Sequence, residues 1–241
     1  MGLSKLALDT AEKLRPVLLK IVPQSVLSSV KESIVRRNTD RLKNANIIPY
    51  DRTYREGINL IGNIRAETGL GQSTRLIADI LEASGEEYVL HDFFVPPGPS
   101  MNDHTHDDKI TDELPYDINI FHINASEFTL AFMNMGQNVW DHRYNIAYWL
   151  WELEEFPEEW LGCIDLVDEI WTPADFITNT LKKYTDKPVM TLSYCVEAPV
   201  SEEFDRAYFG LPDDKFLFLM MFASGSIMER KNPDSVFDCL L

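Results

Sequence analysis

The sequence predicts an α/β protein built on a parallel β-sheet with helices on both faces. Between residues 57 and 192, short apolar segments of strand length alternate with segments in which apolar residues recur at helical spacing. The composition is that of a globular protein, with 45% hydrophobic and 25% charged residues. Strands that alternate with helices pair in parallel through right-handed crossovers, which is a Rossmann-like arrangement.

The elements follow one another in a regular order along this region. Helical patterns follow the glycine-containing turn at 67–71 and the segment after residue 124, a short helix is expected at 157–164, and another runs from 173 to about 184. The predicted strands cover residues 57–62, 88–94, 117–123, 144–151, 169–172 and 188–192.

The pattern divides the chain into four parts. Residues 1–56 form a helical basic extension and linker, and residues 57–195 form the Rossmann-like domain. Residues 196–215 are an acidic connector, and residues 216–241 begin a second α/β domain with one strand and one helix. Because these two elements cannot bury a core of their own, we expect the second domain to be incomplete in this chain.

The charge is distributed unevenly between the extension and the rest of the chain. Residues 1–56 hold 11 basic and 6 acidic residues, whereas residues 57–241 hold 11 and 33. The acidic body argues against nucleic-acid binding. Residues 3–36 are expected to be helical, interrupted at Pro16 and Pro23, and to dock on the domain or on a partner. The alternative is peripheral contact of residues 1–36 with an anionic membrane surface.

The location expected from the sequence is cytoplasmic. No run of about 18 apolar residues is present, and charged residues interrupt the apolar pattern of the N-terminal segment, unlike a secretory signal. The three cysteines are scattered, which argues against a disulfide framework or a zinc site. The membrane-surface alternative for residues 1–36 places the chain at the inner face of the membrane.

The first candidate site is the turn that carries Gly69 and Gly71. Glycines at a helix start allow close approach of a ligand, and the free N–H groups there favour an anion or a sugar hydroxyl. The spacing is neither GxGxxG nor that of a P-loop. A tight strand-to-helix turn with no ligand is the alternative.

Two further candidates follow predicted strands, where open α/β sheets bind their ligands. His122 and Asn124 end the third strand, and Trp151 and Glu152 end the fourth. Trp151 could stack on a sugar ring, and Glu152 could accept a hydrogen bond from a sugar hydroxyl. The alternative for the fourth strand is an aromatic core followed by a solvated acidic turn.

Two charged loops complete the list of candidates. Ser226, Arg230 and Lys231 lie between a predicted strand and helix, where they could grip a diphosphate or form an ordinary charged loop. Residues 103–108 (DHTHDD) contain five possible metal ligands, but adjacent ligands on one loop rarely converge on one ion. A solvated acidic loop is therefore favoured there, and no metal is expected.

Together these segments resemble bacterial glycosyltransferases of the GT-B fold, in the large retaining group often called family 4 or group 1. The resemblance runs from about residue 57 to residue 232, and the joint order of its motifs is more specific than any one of them. The motifs are Arg65–Gly71 (RAETGLG), Tyr144–Trp149 (YNIAYW) with Trp151–Leu153 (WEL), Asp168–Pro173 (DEIWTP), Phe204–Arg206 (FDR) and Glu229–Pro233 (ERKNP).

The resemblance implies two Rossmann-like domains that face a cleft, with the acceptor on the first and a nucleoside-diphosphate sugar on the second. Gly69 and Gly71 would approach the donor phosphates or the acceptor, and Ser226, Arg230 and Lys231 would grip the donor diphosphate. The implied activity is retaining, metal-independent transfer of a sugar to a glycan or lipid-linked acceptor, with no cofactor besides the donor. His122, Asn124, Trp151 and Glu152 are then expected on the acceptor side.

The sequence also departs from the pattern of this family. Tyr194 and Cys195 stand where such enzymes often carry His-Gly, and Ala174 follows Pro173 where a serine is frequent. The pair of donor-recognising glutamates is absent, so the chain is expected to be an incomplete form that transfers sugar poorly alone. A catalytically inactive sugar-binding or interaction domain is the main alternative. A nicotinamide-dependent oxidoreductase is disfavoured because the turn at Gly69 lacks the third glycine.

Overall fold

The computed structural model of the chain describes residues 42, 45–94, 99–197, 200–222 and 231–239. Its contacts divide the chain into two compact units, residues 1–196 and residues 197–241. The helix predicted over residues 3–36 lies outside the described residues. Within the described part of the chain, no helix combines the length and apolar character that crossing a bilayer requires.

The first unit contains a six-stranded sheet in which all neighbouring strands are parallel, as predicted. The order across the sheet is β2-β1-β3-β4-β5-β6. The fourth strand is shorter than expected and ends at residue 148 rather than 151. The strands are β1 (Arg55–Gly62), β2 (Tyr88–Asp92), β3 (Tyr116–His122), β4 (Tyr144–Tyr148), β5 (Glu169–Thr172) and β6 (Val189–Thr191).

The described residues include four α-helices, and the predicted short helix at 157–164 is a 3-10 helix instead, at Glu158–Leu166. Two shorter 3-10 helices cover Asp107–Lys109 and Gln137–Val139. The α-helices are α1 (Gly69–Ser84), α2 (Ala125–Met135), α3 (Asp175–Leu181) and, in the second unit, α4 (Pro233–Asp238).

Hydrophobic clusters cover both faces of the sheet, because successive side chains of a strand point to opposite sides. Leu60 and Ile120 lie in one cluster together with Ile77 of α1. The next residues along the same strands, Ile61 and Phe121, lie in the other cluster, to which α2 and α3 contribute. The sheet therefore has helices on both faces, as the sequence predicts.

The direction of chain progression across the sheet reverses between β1 and β3. The chain moves from β1 to its neighbour β2, then crosses to the other side of β1 and continues from β3 to β6. Open α/β sheets bind ligands in the crevice outside the carboxyl ends of the strands at such a switch point. Here those ends are Gly62 and His122, which are register partners in the sheet.

Three buried asparagines form a ladder across the middle of the sheet. Asn59, Asn119 and Asn145 occupy aligned positions in β1, β3 and β4. The amide of Asn59 donates to Asn119 Oδ1, and that of Asn119 donates to Asn145 Oδ1, both at 2.9 Å. Slippage of one strand would leave these buried amides unpaired, so the ladder fixes the register.

Residues 45–54, within the segment expected to be an extension and linker, pack against the rest of the first unit. Ile48 N–H donates to Asp141 at 2.9 Å, and Tyr50 donates its hydroxyl to Asp117 at 3.0 Å. Leu42 is buried in the same core cluster as α2 and α3. These contacts could not be predicted from the composition of the segment, because the hydrogen-bond partners lie about 70–90 residues away in sequence.

The second unit has little regular structure among its described residues. Arg206 closes a loop by donating to the carbonyl oxygens of Pro212 and Lys215 at 2.8 and 2.9 Å. The strand predicted at the start of the second domain is not found at residues 216–222, which have no regular structure. A strand requires backbone partners in a neighbouring strand, and the described residues of this unit contain no other strand.

Candidate functional site

The glycine-containing turn lies between β1 and α1, as the sequence predicts, and the strand order places it at the switch point. The hydroxyl of Thr68 caps the helix by accepting from Gly71 N–H at 3.1 Å. A Cβ atom on Gly71 would lie 2.0 Å from the carbonyl oxygen of Ala66, whereas one on Gly69 would meet nothing within 4 Å. Gly71 is therefore required by packing, and Gly69 is exposed at the helix N-terminus.

A buried arginine fixes the shape of this turn. Arg75 donates to the carbonyl oxygens of Ile64 and Ala66 at 2.6 and 3.1 Å. Its guanidinium also forms an ion pair with Asp103 at 3.2 Å. Contacts within the chain thus fix the conformation of the turn, which is the preorganisation that a binding site needs.

The acidic loop at 103–108 acts as a brace for the turn. Asp107 forms an ion pair with Arg65 at 2.8 Å, and Asp103 pairs with Arg75 on the helix. Hydrogen bonds from Arg65 and from Thr105 are the largest causes that lower the pKa of Asp107 and Asp103, respectively. Among the described residues, no group of three or more ligand side chains could hold a metal ion.

His122 is completely buried at the end of β3, and hydrogen bonds occupy both of its ring nitrogens. The Thr74 hydroxyl donates its proton to Leu70 O at 2.8 Å, so it accepts from His122 Nδ1–H at 3.0 Å. Nε2 consequently carries the lone pair and accepts from the Tyr194 hydroxyl at 3.0 Å. The glycine at position 62 permits this, because a Cβ there would lie 2.8 Å from Thr74 Cγ2.

The surroundings of His122 keep the imidazole neutral. Burial lowers its pKa from 6.5 to about 4. The ring of Tyr148 stacks on the imidazole with centroids 4.9 Å apart, and Tyr194 stacks on Tyr148 at 5.2 Å. Burial also raises the pKa of both tyrosine hydroxyls, so they remain protonated hydrogen-bond donors.

Asn124, Trp151 and Glu152 lie beyond the carboxyl ends of β3 and β4. Asn124 Oδ1 accepts from Leu150 N–H at 3.3 Å and so fastens the segment that follows β4. Trp151 donates its indole N–H to Glu155 O at 2.7 Å and packs edge-on against Trp160 at 4.9 Å. Glu152 is exposed.

The structure describes the sequence-predicted site residues of the first unit and one of those in the second. Gly69, Gly71, His122 and Asn124 lie at the carboxyl ends of β1 and β3, and the pair Trp151 and Glu152 follows β4. Lys231 is exposed and belongs to the second unit. The predictions for Ser226 and Arg230 fall outside the described residues.

Sequence reasoning missed Thr74, Arg75, Tyr148 and Tyr194. Thr74 and Arg75 follow the glycine turn by about one helical turn. Arg75 does not belong to a pattern of exposed polar residues along the helix, and this is a signal that could have drawn attention to it. Tyr148 ends the observed β4, and Tyr194 follows the predicted strand at 188–192 by two residues, so both lie near strand ends of the kind that bind ligands. Their partnership with His122 spans 26 and 72 residues, and no local pattern reports it.

A small cavity of about 130 Å³ opens at the opposite, amino-terminal edge of the sheet. Pro49, Arg143, Asn145 and Asp168 are among its lining residues. The Arg143 guanidinium donates hydrogen bonds to the carbonyl oxygens of Tyr116 and of three further residues. Because Asn145 and Asp168 lie at the starts of β4 and β5, this cavity is separate from the switch-point crevice.

Comparison with known proteins does not assign the chain to a family: no protein-family model matches it, and neither does any curated protein.

Proposed function

We propose that the chain is a glycosyltransferase of the retaining, metal-independent GT-B type, which moves a sugar from a nucleoside-diphosphate sugar to a glycan or lipid-linked acceptor. The observation that carries the proposal is the preorganised switch-point crevice, where the N-terminus of α1 begins at the exposed Gly69. The motif order shared with that family, from the glycine turn to residues 229–233, supports the same function.

The chemistry needs stabilisation of a departing diphosphate. Transfer breaks the bond between the anomeric carbon and the diphosphate oxygen, forms a bond to the acceptor oxygen and passes the acceptor proton to the departing phosphate. Free N–H groups at a helix N-terminus stabilise such an anion, and so do cationic side chains. In this proposal the N-terminus of α1 supplies such N–H groups, and the family resemblance assigns the grip on the diphosphate to Ser226, Arg230 and Lys231.

The acceptor side of the proposal uses residues that follow β3 and β4. Trp151 offers an aromatic face partly exposed beside the acidic turn, and Glu152 offers an exposed carboxylate that can accept a sugar hydroxyl. Asn124 holds the backbone that connects these residues to β4 through its bond with Leu150. His122 contacts the acceptor only when the Tyr194 hydroxyl leaves Nε2, since Tyr194 now occupies that nitrogen.

Calorimetric titration of the chain with a panel of nucleoside-diphosphate sugars tests the proposal. We expect one or more donors to bind, and Lys231→Ala to weaken that binding by about tenfold, since a charge-assisted hydrogen bond contributes about 1.5 kcal/mol. Lys182→Ala changes an exposed lysine of the first unit and serves as the matched control. Failure of every donor to bind the wild-type chain would contradict the proposal.

The same material distinguishes the alternative of a catalytically inactive sugar-binding domain. After binding is established, each bound donor is incubated with a mixture of glycans and polyprenyl-phosphate-linked sugars, and products are identified by mass spectrometry. Donor-dependent products support the transferase. Binding of free glycans with no binding of any donor supports the inactive domain.

A further inference from the structure

Tyr194 joins the buried switch-point histidine to the segment that leaves the first unit. Its hydroxyl donates to His122 Nε2 at 3.0 Å, and its ring stacks on Tyr148. Only Cys195 and Val196 separate Tyr194 from residue 197, where the second unit begins. The residue that covers His122 therefore lies next to the boundary between the two units.

The backbone around Tyr194 is anchored on one side. Leu192 N–H donates to Thr172 O at 2.8 Å, and the Ser193 hydroxyl donates to Pro173 O at 3.1 Å. Within the described part of the chain, no backbone hydrogen bond involves residues 194–196, and Val196 is 72% exposed. Side-chain contacts alone thus hold Tyr194 in place.

We infer that Tyr194 is a latch that closes His122 off from the switch-point crevice and opens when residues 194–197 move. While the latch is closed, both nitrogens of His122 are occupied and its ring is inaccessible. When it opens, Nε2 becomes a free acceptor at the carboxyl end of β3. The inference rests on the proposed function in one respect, that a hydroxyl of the acceptor then takes the place of the Tyr194 hydroxyl.

The latch is weak enough to open without unfolding the domain. A neutral hydrogen bond contributes little net free energy, because both partners bond to water when they separate. Local openings of exposed, sparsely bonded segments occur at a small fraction of the cost of global unfolding. The strands and α1, which position His122 and Thr74, keep their own hydrogen bonds when Tyr194 leaves.

Acylation of histidines by diethylpyrocarbonate, mapped by peptide mass spectrometry, tests the latch because the reagent attacks accessible neutral imidazoles. In the wild-type chain, we expect His122 to react measurably but far more slowly than His104, which is exposed. Tyr194→Phe keeps the ring and removes the hydroxyl, so His122 should react about fivefold faster. Tyr194→Ala removes the cover as well and should accelerate the reaction by about tenfold or more.

Tyr208→Phe is the matched control, since it removes a tyrosine hydroxyl from an exposed position in the second unit. It should leave the rate at His122 unchanged; the rate at His104 checks the reagent dose, and circular dichroism checks that each variant is folded alike. An unchanged His122 rate in Tyr194→Phe, or no His122 acylation in the wild type after His104 has reacted fully, would overturn the latch. These rates are measured without any donor or acceptor, so they stand or fall independently of the sugar-transfer proposal.

Discussion

At the scale of single residues, the two glycines of the β1–α1 turn have different roles. Gly71 is buried where the helix start meets the turn, and a Cβ atom there would lie 2.0 Å from the Ala66 carbonyl oxygen. We predict that Gly71→Ala lowers the free energy of unfolding by about 3 kcal/mol, because the backbone of the turn must shift to admit the methyl group. Urea denaturation followed by circular dichroism measures this.

Gly69→Ala is the matched control for that prediction. Its added methyl group meets nothing within 4 Å, and the residue lies in the first turn of α1, where alanine is well tolerated. The unfolding free energy should change by less than about 0.5 kcal/mol. Equal losses in the two variants would show that the contact with Ala66 does not determine the need for glycine.

The buried imidazole of His122 makes stability depend on pH. Its pKa is lowered by burial from 6.5 to about 4, so between these values the unfolded chain binds a proton that the folded chain does not. The contribution is fully present above pH 6.5 and is lost as the pH falls toward 4, by about 3 kcal/mol over the interval.

Comparison of variants isolates this contribution. We expect the slope of unfolding free energy against pH, between pH 4 and pH 6.5, to be smaller in His122→Gln than in the wild type. His104→Gln, which changes an exposed imidazole, should retain the wild-type contribution of His122. An NMR titration in which His122 takes up its proton near pH 6.5 in the folded chain would contradict the explanation.

At the scale of elements, the asparagine ladder ties the three central strands together. Asn119→Asp keeps the shape of the side chain but replaces the donor that serves Val139 O and Asn145 Oδ1. Three oxygen acceptors would then face one another in the interior, at a cost of about 3 kcal/mol or more in unfolding free energy. Thermal unfolding measures the loss, and Asn179→Asp, on the exposed face of α3, should leave the midpoint within a few degrees.

The strands of the first unit could be predicted because each is a short apolar run bounded by turn residues. The end of β4 could not be predicted in this way. The apolar pattern continues to residue 151, but Leu150 N–H donates to the side chain of Asn124 instead of to a neighbouring strand. The apolar run at 216–222 has the composition of a strand, but the described residues of its unit contain no neighbouring strand with which it could pair. Both cases depend on contacts with residues outside the apolar run, which its composition does not reveal.

The sequence could predict which residues of the candidate site follow the ends of strands, but not the contacts that these residues make. His122 and Asn124 follow β3 in sequence, so their place at the carboxyl edge follows from the parallel sheet. The position of the switch point depends on strand order, which local patterns do not determine. The contacts of His122 with Thr74 and Tyr194 depend on packing between residues 48 and 72 positions apart.

At the scale of the whole molecule, the first unit is a complete parallel sheet, with both faces covered and its crevice already shaped. The ion pairs of Arg65 and Arg75 with the loop at 103–108 hold the turn that borders that crevice. We propose that a nucleoside-diphosphate sugar binds there with its diphosphate at the N-terminus of α1.

Backbone NMR of the isotope-labelled chain, titrated with the nucleoside-diphosphate sugars, shows whether the donor binds at this helix end. We predict that the amide signals of Gly69 and Leu70 shift with saturable dependence on donor concentration, together with signals from Asn124 and the segment after β4. Signals around Pro49 and Asp168, which line the cavity at the opposite edge, should stay unchanged. Shifts confined to that opposite edge, or none with any donor, would contradict the account.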